Sequence, residues 1–530
     1  GYVLTKSWFM LHGMWHQNVD MTWGSTLLNG LWLSIAGTPN VFWARIGYVL
    51  IISLITTFSY KTLILNFDKR ESFLIATVLG MIAFSGSPQT ISYQNLPVLA
   101  IVTGFFYFIK ATKTKKQLQF VLSGLSISIS VLLRFPNILL VGFLFVYFVI
   151  KTLYTDIDRN LLKKALINSC IGIVGGLILG FIVLLLSGSL NDFYSNSLSF
   201  IEGGNSNTYS SENLFKLYQL DLWRLFTRAT VIALPLFGIS ILGAKDKGYL
   251  MKLFIIIFSA CFAYFTLGFY GDSQNWVSLI LSIGIISLII YLILRNSSDT
   301  DFEIIFSSLL LFFISFIGSN NGMYILFWSG AMILPLSTFL LLLKHSNFYF
   351  NKHQYNFNVS FLTFLVFAAI VFISRKSNDV YRDSPRNQLT ETFVTKELKN
   401  INSTAARVSV TDSLLTYMSR TIRSNESLFI VGPVPLLYYL LDKKPVITNI
   451  WTCPPAEFEK LGLNSSLIDY FLIPKNNPRE NNWPNSDKYP VHPEIEMVKY
   501  YLKFMRENSY VKKYENTMFY VYAAPELNTK

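Results

Sequence analysis

The sequence predicts a polytopic α-helical membrane protein with an external α/β domain at its carboxyl end. Three observations predict it: twelve apolar stretches within residues 1–374, gaps between them that are alternately rich and poor in Lys and Arg, and a polar remainder over 375–530. Hydrophobic residues make up 52% of the 530 and charged residues 14%. With a mean hydropathy of +0.42 the chain lies far from soluble globular composition.

Spans are placed near 42–60, 71–85, 95–110, 117–134, 138–153, 164–187, 224–243, 250–269, 275–295, 303–318, 322–343 and 357–374. Several fall short of the roughly 20 residues needed to cross squarely, so kinked hairpins are expected. The basic gaps carry Lys61, Lys69 and Arg70; Lys110, Lys113, Lys115 and Lys116; Lys151, Arg159, Lys163 and Lys164; Lys245, Lys247 and Lys252; Arg295; and Lys344 and Lys352. The positive-inside rule assigns them to the cytoplasm. The intervening gaps hold Lys216 alone, apart from Arg134 in the turn Arg134-Phe135-Pro136-Asn137, and face outward together with residues 1–40. An outward start predicts one further helix upstream of Gly1. A composition rich in Ile, Asn, Lys and Phe points to a bacterial membrane, with the carboxyl domain on its outer face.

The net charge of +13 raises nucleic acid as a partner, but the excess sits beside apolar spans, where it matches anionic membrane lipid and excludes that class. Cys170 and Cys261 lie in spans and Cys453 stands alone, so no disulfide framework or cysteine metal site assembles. His12, His16 and Asp20 follow one another at four-residue steps, a spacing that resembles metal ligation, yet only His492 is left outside to complete a set. A divalent metal is therefore optional and no metal ligand is assigned.

Two outward stretches are too long for connectors. In the first, Leu27, Leu28, Leu31 and Ile35 recur at helical spacing within Ser25 to Ala36, which predicts an amphipathic helix in the membrane interface anchored by Trp23 and Trp32. The second, 188–223, holds the cluster Glu202-Gly203-Gly204-Asn205 and a helical patch from Glu212 to Leu222. Past Arg375 the chain alternates a strand at Ser427 to Val431, a helix at Leu436 to Leu441, and further strands near Leu467 to Ile473 and Thr517 to Tyr522. That alternation reads as an α/β domain.

Asp20, directly before the interfacial helix, is the first candidate for chemistry, because a carboxylate beside an acceptor hydroxyl or amine can take its proton. Its alternative is a helix N-terminal charge. Arg45 and Arg134 at span ends, with Arg224, Arg228 and Lys216, would line an outward cleft suited to a lipid phosphate or pyrophosphate. Snorkelling structural arginines are the alternative. Glu202 and Asp272 are possible second acids, with Asp192, Glu212 and Asp221 beside them, and the polar break Ile317 to Tyr324 is a tight turn or a sugar-binding edge.

With these residues in place the chain resembles the GT-C class of integral-membrane glycosyltransferases, which includes protein mannosyltransferases and aminoarabinose transferases. The matching features are Asp20 in the first outward loop; a helix ending Leu31-Trp32-Leu33-Ser34-Ile35-Ala36-Gly37; Ala44-Arg45 opening a span; Ser92-Tyr93-Gln94-Asn95-Leu96-Pro97; Leu133-Arg134-Phe135-Pro136; and Phe429-Ile430-Val431-Gly432-Pro433 before Lys443-Lys444-Pro445. The resemblance implies sugar transfer from a polyprenyl-phosphate donor, with inversion, to a lipid, glycan or protein acceptor on the outer face. It also implies Asp20 as general base, Arg134 as a contact for the donor phosphate, and no obligatory cofactor. A flippase for lipid-linked sugars predicts internal repeats and mid-membrane charge, and neither is evident. A catalytically silent protein of the same fold predicts no role for Asp20.

Overall fold

The structure is a computed structural model that describes residues 2–85, 89–154, 159–202, 212–224, 227, 238, 248–268, 273–294, 301–317, 319, 322–350, 353–378, 380, 383–447, 455–460, 468–476 and 492–525. It divides into two compact units, one of Asp20–Ser25 and Tyr48–Arg375, the other of Gly1–Val19, Thr26–Gly47 and Lys376–Lys530.

The larger unit is a helix bundle. Among the described residues, four helices are long and apolar enough to cross a membrane: Val41–Leu63, Leu96–Thr114, Phe135–Thr152 and Asn160–Leu186. Twelve spans were expected, and the difference has physical causes. Several apolar helices, such as Gln117–Leu133, Phe302–Phe316 and Asn358–Ser374, stop short of a full crossing, and the expected span 224–243 lies almost wholly outside the described residues. The expected span 322–343 is two helices, Gly322–Trp328 and Ile333–Lys344, bent by 87°. Gly330 supplies the positive φ of +77° that the bend needs, and the Tyr48 hydroxyl donates to the Trp328 carbonyl at 3.1 Å, one of those the break frees.

Small residues set the bundle's tightest contact. A Cβ on Gly124 would strike the Ser169 carbonyl, one on Gly172 the Val121 carbonyl, and one on Gly180 the Leu132 side chain. Gly172, Gly176 and Gly180 therefore form one close-approach face at four-residue spacing. The opposite side of Arg159–Leu186 exposes Ile171, Val174, Ile178 and Phe181, as a lipid-facing surface would.

The smaller unit is built around a four-stranded sheet in the order β5-β6-β8-β7. Its strands are β5 (Leu428–Ile430), β6 (Tyr470–Pro474), β7 (Val511–Glu515) and β8 (Phe519–Ala523), numbered after two hairpin-like pairs, β1 (Asn347–Phe350) with β2 (His353–Asn356) and β3 (Glu391–Thr392) with β4 (Asn402–Ser403). β5 and β6 run parallel and the other pairs antiparallel. One sheet face packs Phe429, Phe471, Phe458 and Tyr501 around the helix His492–Glu507. The other buries Leu414 and Met418 of Ala405–Thr421 together with Leu4, Trp8 and Phe9 of the amino-terminal helix Tyr2–Leu11.

The expected interfacial helix is Trp23–Ser34. Its polar residues Ser25 and Asn29 are buried, whereas Leu28, Leu31 and Ile35 are exposed, the last at 68%. Asn29 Nδ2 donates to Ser7 Oγ at 2.9 Å. Trp32 stacks on Trp43 at 4.6 Å, each indole donating to the other's backbone carbonyl; Trp23 is buried and anchors nothing at the surface.

Candidate active site

Asp20 is buried, at 7% exposure, in the turn that starts the helix Trp23–Ser34. Its Oδ1 accepts both the backbone N–H and the hydroxyl of Thr22 at 2.8 Å, and its backbone carbonyl accepts the Trp23 N–H. Asp-x-Thr closes such a turn by itself, since the side chain of the first residue mimics a backbone acceptor two residues back. The carboxylate is thereby fixed in direction.

The next residues are fastened to the carboxyl end of the helix Gln117–Leu133. Phe135 N–H donates to the Met21 carbonyl at 2.9 Å, Ser25 Oγ donates to the Leu133 carbonyl at 2.8 Å, and a Cβ at Gly24 would meet the Leu132 carbonyl at 2.6 Å. Two candidates from distant sequence, Asp20 and Arg134, thus sit on segments stapled together.

Arg134 is buried at 6% exposure. Its guanidinium donates to the carbonyls of Ile314 (3.2 Å), Ser315 (3.1 Å) and Ile317. The first two belong to the last turn of Phe302–Phe316 and the third to the residue that caps it, where unsatisfied carbonyls and the helix dipole favour a cation. Asn137, in the same turn, donates to the Ser130 carbonyl at 3.2 Å, while its buried Oδ1 has no hydrogen-bond partner among the described residues.

The polar break after Phe316 is clamped by the helix over 212–224. Tyr218 OH donates to the carbonyls of Phe316 (3.0 Å) and Ser319 (3.2 Å), and Asp221 Oδ2 accepts the Met323 N–H at 2.9 Å. Gly322 has φ +56°, and a Cβ there would overlap the Asp221 carboxylate. Burial pushes the Asp221 carboxyl above its usual range, against the Met323 bond and the Arg224 charge. Arg224 lies 3.7 Å from Asp221, and exposed Lys216 pairs with Glu212 at 2.7 Å. Lys216, Leu220 and Trp223 line a groove of about 490 Å³.

Arg45 lies in the smaller unit, in the first turn of Val41–Leu63 and exposed. Lys376, two residues past the apolar stretch Asn358–Ser374, is held below the usual lysine range by burial and by the like charges of Arg386 and Arg45. Arg386 Nε donates to the Lys376 carbonyl at 2.7 Å. Beside them Arg407 and Asp383 form a buried ion pair at 2.9 Å. Sequence reading missed Lys376, Arg386, Thr22 and Tyr218, and of these only Thr22 left a local signal.

Arg228 and Asp272 lie outside the described residues, and Glu202 ends the helix Leu190–Glu202 with its side chain outside them too. Among the described residues no three His, Cys, Asp or Glu side chains gather as a metal site; His12 stacks on Trp8 at 4.0 Å, its Nδ1 2.7 Å from the Trp8 carbonyl oxygen.

No protein-family model and no curated protein matches the chain. Solved structures similar to it include ArnT from Cupriavidus metallidurans in the apo state, at 10% identity and a TM-score of 0.43 over 98% of this chain and 92% of that one. The same protein bound to undecaprenyl phosphate aligns at 11% identity and 0.43 over the same shares. The Archaeoglobus fulgidus oligosaccharyltransferase, in complex with zinc and sulfate, aligns at 12% identity and 0.45, over 95% of this chain and 65% of that one.

Proposed function

We propose that the chain is a membrane glycosyltransferase that moves a sugar from a polyprenyl-phosphate donor to an acceptor on the outer face of the membrane, with inversion and with Asp20 as general base. The observation that carries this reading is the fixed carboxylate of Asp20 on a segment fastened to the Arg134 turn, at one end of an apolar helix bundle. A base that must meet an incoming hydroxyl or amine needs a fixed direction, and Thr22 gives it one.

In this reading Arg134 positions: it ties the helix carrying the turn to the end of Phe302–Phe316. Arg224 and Lys216 of the same unit supply positive charge for the departing phosphate, which leaves already ionised and requires no general acid. Arg228 would add to them. The Arg45, Lys376 and Arg386 cluster suits an anionic headgroup, because like charges crowded at a span end are relieved by an anion. The apolar, outward-turned face of Trp23–Ser34 suits the membrane interface.

The test is transfer of labelled sugar from a panel of polyprenyl-phosphate sugars by the purified chain in lipid, with Asp20→Asn beside it. The expected result is loss of transfer by about a hundredfold or more with donor binding retained. Full transfer by the variant would move the base to Glu202 or Asp272, and absence of transfer from every donor would leave a flippase or a silent protein of this fold.

A further inference from the structure

The carbonyls at and just past the end of the helix Phe302–Phe316 are divided between two side chains from different elements. Arg134 takes those of Ile314, Ser315 and Ile317, and Tyr218 takes those of Phe316 and Ser319. A helix end leaves its last carbonyls without partners inside the helix, and here a guanidinium and a phenol supply them. Tyr218 shares its one hydroxyl proton between carbonyls at 3.0 and 3.2 Å, and the same oxygen accepts the Ser319 N–H at 3.1 Å. Its ring meets that of Phe316 edge-on, 5.4 Å between centroids.

Each side chain is held from behind. Arg134 follows Leu133, whose carbonyl takes the Ser25 hydroxyl, and precedes Phe135, whose N–H reaches the Met21 carbonyl next to Asp20. Tyr218 belongs to the helix over 212–224, where Asp221 accepts the Met323 N–H through space that only a glycine at 322 leaves open. The large apolar residues Phe215 and Trp223 of that helix are exposed, so its hold on the bundle depends on this polar grip. A hydrogen-bonded path therefore joins Tyr218 to the helix end, the helix end to Arg134, and the Arg134 turn to the segment of Asp20, all within the larger unit.

We propose that Tyr218 is a positioning residue for Asp20: it holds Phe316 and Ser319 so that the neighbouring carbonyls keep Arg134 in place, and Arg134 holds the turn to which the Asp20 segment is fastened. The effect on transfer rests on the glycosyltransferase reading, whereas the mechanical link does not. The test is Tyr218→Phe in the full chain in nanodiscs, which keeps the ring against Phe316 and removes only the hydroxyl. Hydrogen exchange read by mass spectrometry should show peptides over 20–25 and 134–137 opening about tenfold faster than in the parent, the effect of stranding a partly buried acceptor, while Arg159–Leu186 stays as protected as before. In transfer from polyprenyl-phosphate sugars, kcat should fall about tenfold with the donor KM within about twofold of the parent's, because orientation rather than binding is lost. On an Arg134→Lys background the same substitution should accelerate exchange over 20–25 no further, since an ammonium group cannot span the three carbonyls and the path is already cut. Unchanged exchange over 20–25, acceleration spread evenly through the unit, a rise in KM alone, or full additivity with Arg134→Lys would each overturn the proposal. Should the parent transfer no sugar while 20–25 still responds to Tyr218→Phe, the link stands and the glycosyltransferase reading falls.

Discussion

The helix pair Gln117–Leu133 and Arg159–Leu186 and the sheet of β5, β6, β7 and β8 close their interfaces by opposite means. In the pair, Gly124 and Gly172 remove side chains so that backbone meets backbone, and Gly176 and Gly180 make room for the side chains of Ser128 and Leu132. Across the sheet, Phe429, Phe458, Phe471 and Tyr501 interlock as rings 5.2 to 6.2 Å apart. Lipid offers no gain from hiding an apolar side chain, so attraction must come from close fit. Water does offer that gain, and large rings collect it. The same chain therefore uses its smallest and its largest residues for one purpose, according to the solvent.

The sharpest way to break this comparison is Gly172→Leu. A side chain there meets the Val121 carbonyl with no room to relax, so the helix pair should fail to close and the variant should elute from size-exclusion chromatography as aggregate. A monodisperse variant with the parent's melting temperature would show that close approach is dispensable. Next in size is Phe471→Ala, which empties a fully buried position. It should cost about 3–5 kcal/mol in chemical denaturation followed by near-ultraviolet circular dichroism, with little change in the bundle's helical signal if the two units are held by separate forces.

A smaller effect is set by pH. Tyr439 is fully buried, and burial pushes its phenol up to about 12 from an ordinary 10.0. Because the folded value is raised, this stabilisation is fully present below pH 10 and is lost as pH rises toward 12, by up to about 2–3 kcal/mol. Tyr439→Phe should flatten that alkaline limb of the stability profile, and an unchanged limb would assign it to another group. The least effect belongs to the exposed pair Glu212 and Lys216: Glu212→Gln should alter melting by no more than about 0.5 kcal/mol, vanishing in high salt. A larger loss would mean that the helix over 212–224 depends on more than its grip through Tyr218 and Asp221.

What the sequence made legible follows from how local each cause is. The helix at Trp23–Ser34 and its apolar side were readable from the Leu and Ile spacing, but not the partners of its polar side, since Ser25 bonds to Leu133 and Asn29 to Ser7. β5 and β8 were readable from short apolar runs, whereas Ala405–Thr421 mixes Ser, Thr and Arg with its buried Leu414 and Met418 and shows no clean stripe. At the candidate site, Asp20 and Thr22 are a two-residue relation, visible in principle. The carbonyls that occupy Arg134 come from some 180 residues away, and the crowding of Arg45 by Lys376 and Arg386 spans the whole bundle in sequence. Long-range partners of that kind leave no periodic trace.

The amino-terminal helix Tyr2–Leu11 has its hydrophobic partners in Leu398, Leu437, Tyr439 and Met518. A ribosome adding about 5–20 residues per second needs tens of seconds to pass from one to the other. Throughout that interval Trp8 and Phe9, both 2% exposed once folded, have no final resting place. This segment is thus among the last to be secured, and a chain cut short after its membrane helices would leave it stranded, a target for chaperones and proteases.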